Sequence, residues 1–173
     1  SVNRMEDQSM VPGAKLGRTN LLARAVTKFG DTDRWTADTK FQYTNAKANN
    51  RTVGGPNGTN PFYLLNLFPR SVDITQFRDA TDANGNMIWF GGGSGVNPYW
   101  ASKYNVNEDV RDRFMMNASL KYEATNWLTA EIKAGADMYT NNSNARTYAG
   151  SPMTASGRYS LGKSTYTETN YQG

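Results

Sequence analysis

The segment from Gly157 to Ser164 has the spacing of a phosphate-binding P-loop, with two glycines separated by four residues and then Lys163 and Ser164. Such a loop binds phosphate when a buried strand precedes it and a helix follows it, because the helix N-terminus supplies N–H donors. Here a polar stretch at 149–154 precedes the motif, and Thr165–Thr169 favours a strand. We therefore interpret the segment as a polar loop that runs into a strand.

A second candidate is a calcium loop at Asp79, Asp82 and Asn84, just before Gly85. An EF-hand register with its glycine at position 85 puts Ala80 in the first ligand position, so the spacing fails. The Asn-Gly pair instead predicts a hairpin turn. The glycine-rich run from Gly91 to Gly95 could bring the backbone close to a ligand, but we interpret it as a flexible loop tip.

Paired carboxylates could carry out glycosidase chemistry, and Glu108, Asp109 and Asp112 are the candidates. Proximity in sequence does not fix the separation that this reaction needs, and the neighbouring Arg111 and Arg113 favour ion pairs. The chain has no histidine and no cysteine, which removes the usual zinc ligands, the usual general base and thiolate chemistry. We expect no enzyme activity, no metal and no cofactor.

The aromatic residues of a long polar stretch, about residues 46–107, are better candidates for binding. Aromatic rings stack on sugar faces and anchor protein interfaces. We expect these rings to be exposed, and three roles stay open for them: packing on one another, contact with a lid protein and contact with substrate. The candidates are Phe62, Tyr63, Phe68, Trp89, Phe90, Tyr99, Trp100 and Tyr104.

Four stretches that alternate apolar and polar residues must position these groups. Alternation with a period of two predicts strands with one apolar and one polar face. The predicted strands cover about residues 18–29, 35–45, 112–123 and 127–140. Short polar turns join the first to the second at Gly30–Arg34, and the third to the fourth at Ala124–Asn126, which predicts two hairpins of one sheet.

The composition favours a membrane barrel over a soluble sandwich. Only 38% of the residues are hydrophobic although 12% are aromatic, which is little for a self-contained core. The apolar faces contain many alanines, which would leave a soluble core underfilled. Long loops at about 46–107 and 141–165 on one side, with short turns on the other, are typical of outer-membrane barrels.

Aromatic residues also lie at the ends of the predicted strands, as in the girdles of a membrane barrel. Tyr139 is placed with them, toward the long loops. The predicted lipid-interface residues are Phe29, Trp35, Tyr43, Tyr122 and Trp127.

Two other classes remain as alternatives. A soluble or surface carbohydrate-binding β domain would use the loop aromatics directly, and another type of outer-membrane barrel, such as a porin, is the third interpretation. Nucleic acid is not an expected partner, because the charge of +4 is modest and the cations are scattered. The chain starts without Met and stops in a polar stretch, so we expect an internal segment of a longer polypeptide.

Several motifs resemble, in order, those of the SusC/RagA-like TonB-dependent outer-membrane transporters. The resemblance extends from about Gly17 to about Gly157. The matching segments are Asn60–Arg70 (NPY-x-x-L-x-x-x-PR), Asp82–Trp89 (D-x-NGN-x-x-W), Asn97–Trp100 (NPYW), Asn107–Asp109 (NED), Arg111–Phe114 (R-x-RF), Ser119–Tyr122 (SLKY) and Asn126–Leu128. Segments that resemble the N-terminal domain, the TonB box, the plug and the later strands of such proteins are missing.

The resemblance implies an all-β, antiparallel up-and-down transmembrane β-barrel segment with two hairpins and long extracellular loops. The whole barrel would have about 22 strands. It also implies a place in the bacterial outer membrane and TonB-dependent import of a large nutrient, a glycan or peptide. The implied partners are a SusD-like surface lipoprotein that acts as a lid, TonB, and outer-membrane lipid.

Overall fold

The computed structural model describes residues 1–90, 95–151 and 154–173, and its main feature is one antiparallel sheet. The six strands are β1 (Val2–Gln8), β2 (Lys15–Phe29), β3 (Trp35–Asn49), β4 (Val106–Glu123), β5 (Thr129–Thr147) and β6 (Arg158–Gln172). Each strand pairs with the next one along the chain. Among the described strands, β1 and β6 are not paired with each other, so this up-and-down sheet is open. The chain is therefore all-β in class.

Short helical segments occupy the connections. Helices α1 (Pro61–Leu67) and α2 (Pro98–Tyr104) lie in the connection between β3 and β4, together with a 3-10 turn at Ile74–Phe77. Another 3-10 turn, Asp31–Asp33, lies between β2 and β3. Of the helices in the described ranges, none has the length and apolar character that a membrane-spanning helix needs.

The strand register aligns the apolar residues of β2 to β5 on one side of the sheet, which we call the apolar face. Leu120 is paired with Ala37 on β3 and with Ile132 on β5. Two residues earlier on β4, Ala118 is paired with Thr39 on β3 and with Ala134 on β5. The register thus turns four separate sequence patterns into one surface, as strand alternation requires.

The apolar face remains open to the surroundings in this structure. Ile132 is 62% exposed, and Met116 and Phe114 are 43% and 40% exposed. The charged residues of the same strands lie on the opposite side, the polar face, where Arg24 binds Asp38 with Nη2–Oδ2 at 2.6 Å. A soluble sandwich would cover its apolar face with a second layer.

The four predicted strands and both predicted hairpins are confirmed, but their ends are corrected. β3 continues to Asn49, β4 begins at Val106 and β5 continues to Thr147, so the predicted loops at 46–107 and 141–165 are shorter in the structure. β1 was not predicted, and β6 begins at Arg158, inside the second predicted loop. The unbroken apolar row of the apolar face stops before these extensions, so the alternation that predicts the strands is absent there.

The buried core lies in the β3–β4 connection. The cluster of buried residues consists of Ala80, Met87, Val96 and Trp100, with Trp89, Tyr99, Ala101 and Tyr104 packed against it. This connection therefore has a small apolar core of its own at one end of the sheet.

Candidate functional site

An Asn-Pro pair begins each helix of the long connection. The side chain of Asn60 accepts from the backbone N–H of Phe62 at 3.0 Å, and that of Asn97 accepts from Tyr99 at 2.9 Å. Proline follows each asparagine in the first helical turn. Asparagine is a strong N-cap and proline is favoured at the first helical position, so the repeated motif has a local structural function.

The side chain of Asn97 also holds the connection together. It is fully buried, and its Nδ2 donates to the carbonyls of Phe77 and Ile88, both at 2.9 Å. These bonds link the start of α2 to two separate parts of the chain. A buried amide with its hydrogen bonds formed favours one arrangement, because any other would leave polar groups unpaired.

Four rings on one side of this connection form what we call the phenyl cluster. Phe68 is central: its ring centroid lies 5.3 Å from Trp89, 5.5 Å from Phe90 and 6.0 Å from Phe77. Trp89 also meets Phe77 edge to face at 5.3 Å. Three of the predicted binding residues, Phe68, Trp89 and Phe90, are therefore brought together by the fold, and ring pairs at these separations stabilise it.

A second group of rings joins α2 to the β5–β6 connection. Trp100 lies 4.4 Å from Tyr104 and 5.9 Å from Tyr148, measured between ring centroids. The prediction that Trp100 is exposed is wrong, because its side chain is completely buried. Within the described residues its indole Nε1 has no hydrogen-bond partner. Trp100 thus packs inside the connection and presents no surface for a ligand.

The predicted binding residues that remain accessible define a smaller candidate surface. Phe62 is 45% exposed and Phe90 is 43% exposed, whereas Tyr63, Tyr99 and Tyr104 are half-buried. On α1, Leu65 and Leu67 are also exposed, beside the buried Leu64. We call Phe62, Leu65, Leu67 and Phe90 the apolar loop residues. Exposed apolar side chains in a folded loop are typical of contact surfaces.

The predicted interface aromatics occupy the two ends of the apolar face. At the short-turn end, Trp35 lies between Phe29 and Tyr122, with ring centroids 6.1 Å and 4.4 Å away. At the other end Tyr43 packs on Phe114 at 4.7 Å, and its hydroxyl donates to Asp112 at 2.7 Å.

Trp127 lies in the β4–β5 turn and is 83% exposed. Phe29, Trp35, Tyr43 and Tyr122 lie toward the ends of the apolar face, and the role of the five residues at a lipid interface stays a prediction.

Tyr139 lies on the polar face, which corrects its predicted place among the interface aromatics. Its ring stacks on Tyr166 of β6 at 5.1 Å, and the guanidinium of Arg111 lies 5.3 Å from its centroid. Nearby, Arg113 binds both carboxylate oxygens of Asp137. Strict alternation from Met138 would have placed Tyr139 with Asp137, so the sequence did contain this signal. Tyr166 was missed because β6 was not fully predicted.

Two of the three acidic candidates for catalysis form ion pairs, and the third, Asp112, accepts hydrogen bonds from Tyr43 and Asn45. Glu108 binds Lys47 at 2.6 Å and Asp109 binds Arg51 at 3.0 Å. The first pair joins β3 to β4 and the second joins the chain just after β3 to β4, whereas the expected partners were the adjacent arginines. Across the described residues, no group of three or more metal-ligating side chains is close enough together to hold a metal ion.

The other two candidate motifs are local backbone structure. Asp82 accepts from the N–H groups of Asn84 and Asn86 at 2.9 and 2.8 Å, and Gly85 has φ of 81°. These bonds lower the pKa of the Asp82 carboxyl below its ordinary value. The predicted hairpin turn is thereby confirmed.

The P-loop spacing falls largely within β6, and a strand follows Lys163 and Ser164 in place of the helix that phosphate binding needs. The first four residues of the glycine-rich run, 91–94, lie outside the described residues.

No family model, curated protein or solved structure matches this chain.

Proposed function

We propose that this sheet is part of the transmembrane β-barrel of an outer-membrane transporter of the SusC/RagA-like, TonB-dependent type. The observation that carries the proposal is the apolar face, which extends across β2 to β5 and is exposed. Burial of such a surface is favourable by about 25 cal/mol per Å², so a stable protein has to cover it. Lipid is the cover that fits a single open sheet.

The dimensions and borders of the apolar face support a bilayer location. From Phe114 to Tyr122 every second residue of β4 is apolar. This stretch has about the nine to eleven residues that a barrel strand needs to cross a membrane. Aromatic residues border it at both ends, and the face becomes polar just beyond, at Asp112. Amphipathic rings are favoured at this level of a membrane.

The polar face has the character of the inner wall of a barrel, whose lumen would hold water, a plug or substrate. Its charges are paired between neighbouring strands, as in Arg24 with Asp38 and Arg113 with Asp137. The two edges of the sheet, β1 and β6, leave backbone donors and acceptors open. Such edges are not stable in hydrocarbon, so further strands must complete the barrel.

The long connection gives the proposed transporter its outer surface. In this proposal the transporter imports a large nutrient, a glycan or peptide, with energy delivered through TonB. A SusD-like lipoprotein would close over the apolar loop residues Phe62, Leu65, Leu67 and Phe90. The folded connection supports this role, since a surface held by buried caps loses little conformational entropy on binding.

The alternative is a soluble or surface carbohydrate-binding domain, which would have to bury the apolar face. The buried residues lie in the connection, while Ile132 and Met116 on the sheet are 62% and 43% exposed. The exposed face therefore favours the membrane protein.

The experiment uses two adjacent residues of β4 that lie on opposite faces, in a chain without native cysteine. Ala118→Cys and the matched control Ser119→Cys each receive a nitroxide label, in membranes isolated from cells that produce the protein. We expect the label at 118 to collide with oxygen, which concentrates in lipid, and the label at 119 to collide with a water-soluble nickel complex. Water exposure of both labels would exclude the barrel and favour the soluble alternative.

A further inference from the structure

A concave patch lies on the same side of the sheet as the apolar face, just beyond its last apolar row. It has a volume of about 550 Å³ and lies across β1, β2 and β3. Its lining contains four cations and two carboxylates: Arg4, Lys15, Arg18, Lys47, Glu6 and Asp7. We call this patch the cationic cavity.

Its depth comes from Gly17. The register places Gly17 between Glu6 on β1 and Lys47 on β3. A Cβ at this position would meet only the carbonyl of Lys47, at 4.0 Å. There is room for a side chain here, and its absence leaves a depression that reaches the backbone.

The charges around the depression are accessible and partly held in place. Arg4 is paired with Glu6, and Lys47 binds Glu108 with Nζ–Oε2 at 2.6 Å. No carboxylate among the described residues is within ion-pair distance of Lys15, which is exposed. Exposed ion pairs contribute little to stability, so these cations can exchange their partners for a ligand anion.

The height of the cavity relative to the apolar face selects its ligand. Leu21 and Tyr43 form the last apolar row on β2 and β3, and Thr19 and Gly17 follow it on β2. These positions lie about 7 and 13 Å further along the strand. For a strand tilted by about 40°, they lie roughly 5 to 10 Å above the hydrocarbon, which is the level of lipid headgroups.

We propose that the cationic cavity binds the phosphate group of a lipid whose acyl chains lie on the apolar face. The inference rests on the proposed bilayer location. Arginine forms paired hydrogen bonds with phosphate, and lysine binds it as a point charge, so this set of side chains matches the headgroup chemistry. Basic residues close to a membrane surface each strengthen binding to anionic lipid.

The test uses the protein purified in a neutral detergent, with an environment-sensitive dye on Thr19→Cys in the cavity. The probes are dioleoyl phosphatidic acid and dioleoylglycerol, which differ only in the phosphate. We expect a saturable response to phosphatidic acid and at least tenfold weaker binding of dioleoylglycerol. The same response to both lipids would overturn the proposal.

Charge variants distinguish binding in the cavity from a general attraction between basic residues and anionic lipid. The Lys15→Gln/Lys47→Gln double variant is expected to bind phosphatidic acid about tenfold more weakly or worse. Lys163→Gln is the matched control, because Lys163 lies in the same cross-strand row as Lys47 but outside the cavity. Equal losses in the control and the double variant would exclude a defined site. Lys15→Gln alone keeps the Lys47–Glu108 pair and is expected to show a partial loss in a sheet with unchanged circular dichroism.

Inorganic phosphate distinguishes a lipid from a free anion. We expect millimolar phosphate not to displace phosphatidic acid, since it has no acyl chains to bind the apolar face. Full displacement would assign the cavity to soluble anions and overturn the lipid proposal. Failure of the barrel itself is detected separately, by the nitroxide at position 118.

Discussion

The side-chain nitrogen of Asn97 donates to the carbonyl oxygen of Phe77 at 2.9 Å, inside the β3–β4 connection. The bond joins the first residue before α2 to the end of the 3-10 turn. The same amide bonds Ile88 and caps α2, so one side chain positions three segments of the connection.

Replacement of Asn97 should therefore open the long connection. We expect Asn97→Ala to lose the helix cap, about 1 kcal/mol, and to leave buried carbonyls unpaired at a further cost of about 1–3 kcal/mol. Limited trypsin digestion at Arg70 and Arg78 would measure this as faster cleavage. Asn97→Asp retains the cap and loses the donors, so its cleavage rate should be intermediate; a rate equal to that of the unmodified protein would contradict the role of the donors.

Substitutions of Trp100 test whether the connection is stabilised by packing of the indole ring or by a hydrogen bond of its N–H. Trp100→Ala removes a completely buried ring and should destabilise the connection by about 3–5 kcal/mol. Trp100→Phe keeps an aromatic ring and removes an N–H that has no partner in the described residues, so its loss should be much smaller. Hydrogen exchange of the α2 amides is the measurement. Equal effects of the two substitutions would contradict the expectation that a phenyl ring preserves most of the packing.

The two sides of β4 should respond differently to a new charge. Under the barrel proposal, Ala118→Arg places a cation against lipid near the middle of the apolar face, at a cost of about 2–4 kcal/mol. Asn117→Arg, on the polar face, is the matched control and should be tolerated. The measurement is the amount of each variant recovered in the outer membrane. Equal recovery of both would argue against lipid on the apolar face.

Acidification should loosen the turn at Asp82. Its pKa is lowered, chiefly because the carboxylate accepts from the N–H of Asn86, so the charged form is favoured in the folded turn. The stabilisation is fully present above the ordinary pKa of 3.8 and is lost as pH falls through the lower folded value. The protection of the Asn84 and Asn86 amides, measured relative to the intrinsic exchange rate at each pH between about pH 2 and pH 6, would follow this change. Asp82→Asn should remove the dependence on pH, and a persistent acid transition in that variant would point to another group.

The sequence predicted four strands because β2 to β5 alternate strictly wherever one face is apolar. Leu120 and Ile132 belong to different patterns, and each pattern already placed its apolar residues on one side. The short turns at Gly30–Arg34 and Ala124–Asn126 then made the hairpins predictable. The Asn-Pro pairs at positions 60 and 97 were noticed only as motifs, and the structure explains them as helix caps.

The sequence by itself determined the four central strands, β2 to β5, and their two faces, because these depend on near neighbours along the chain. The tertiary structure decided where strands end beyond the last apolar row, since the backbone ladder continues without the apolar pattern that predicts a strand. It also decided which rings are available. Trp100 is buried by segments that are distant in sequence, including Tyr148, while Phe62 is left exposed. Burial of a ring depends on such distant partners, so the equivalent rings of two similar Asn-Pro motifs differ: Trp100 is buried and Tyr63 is half-buried.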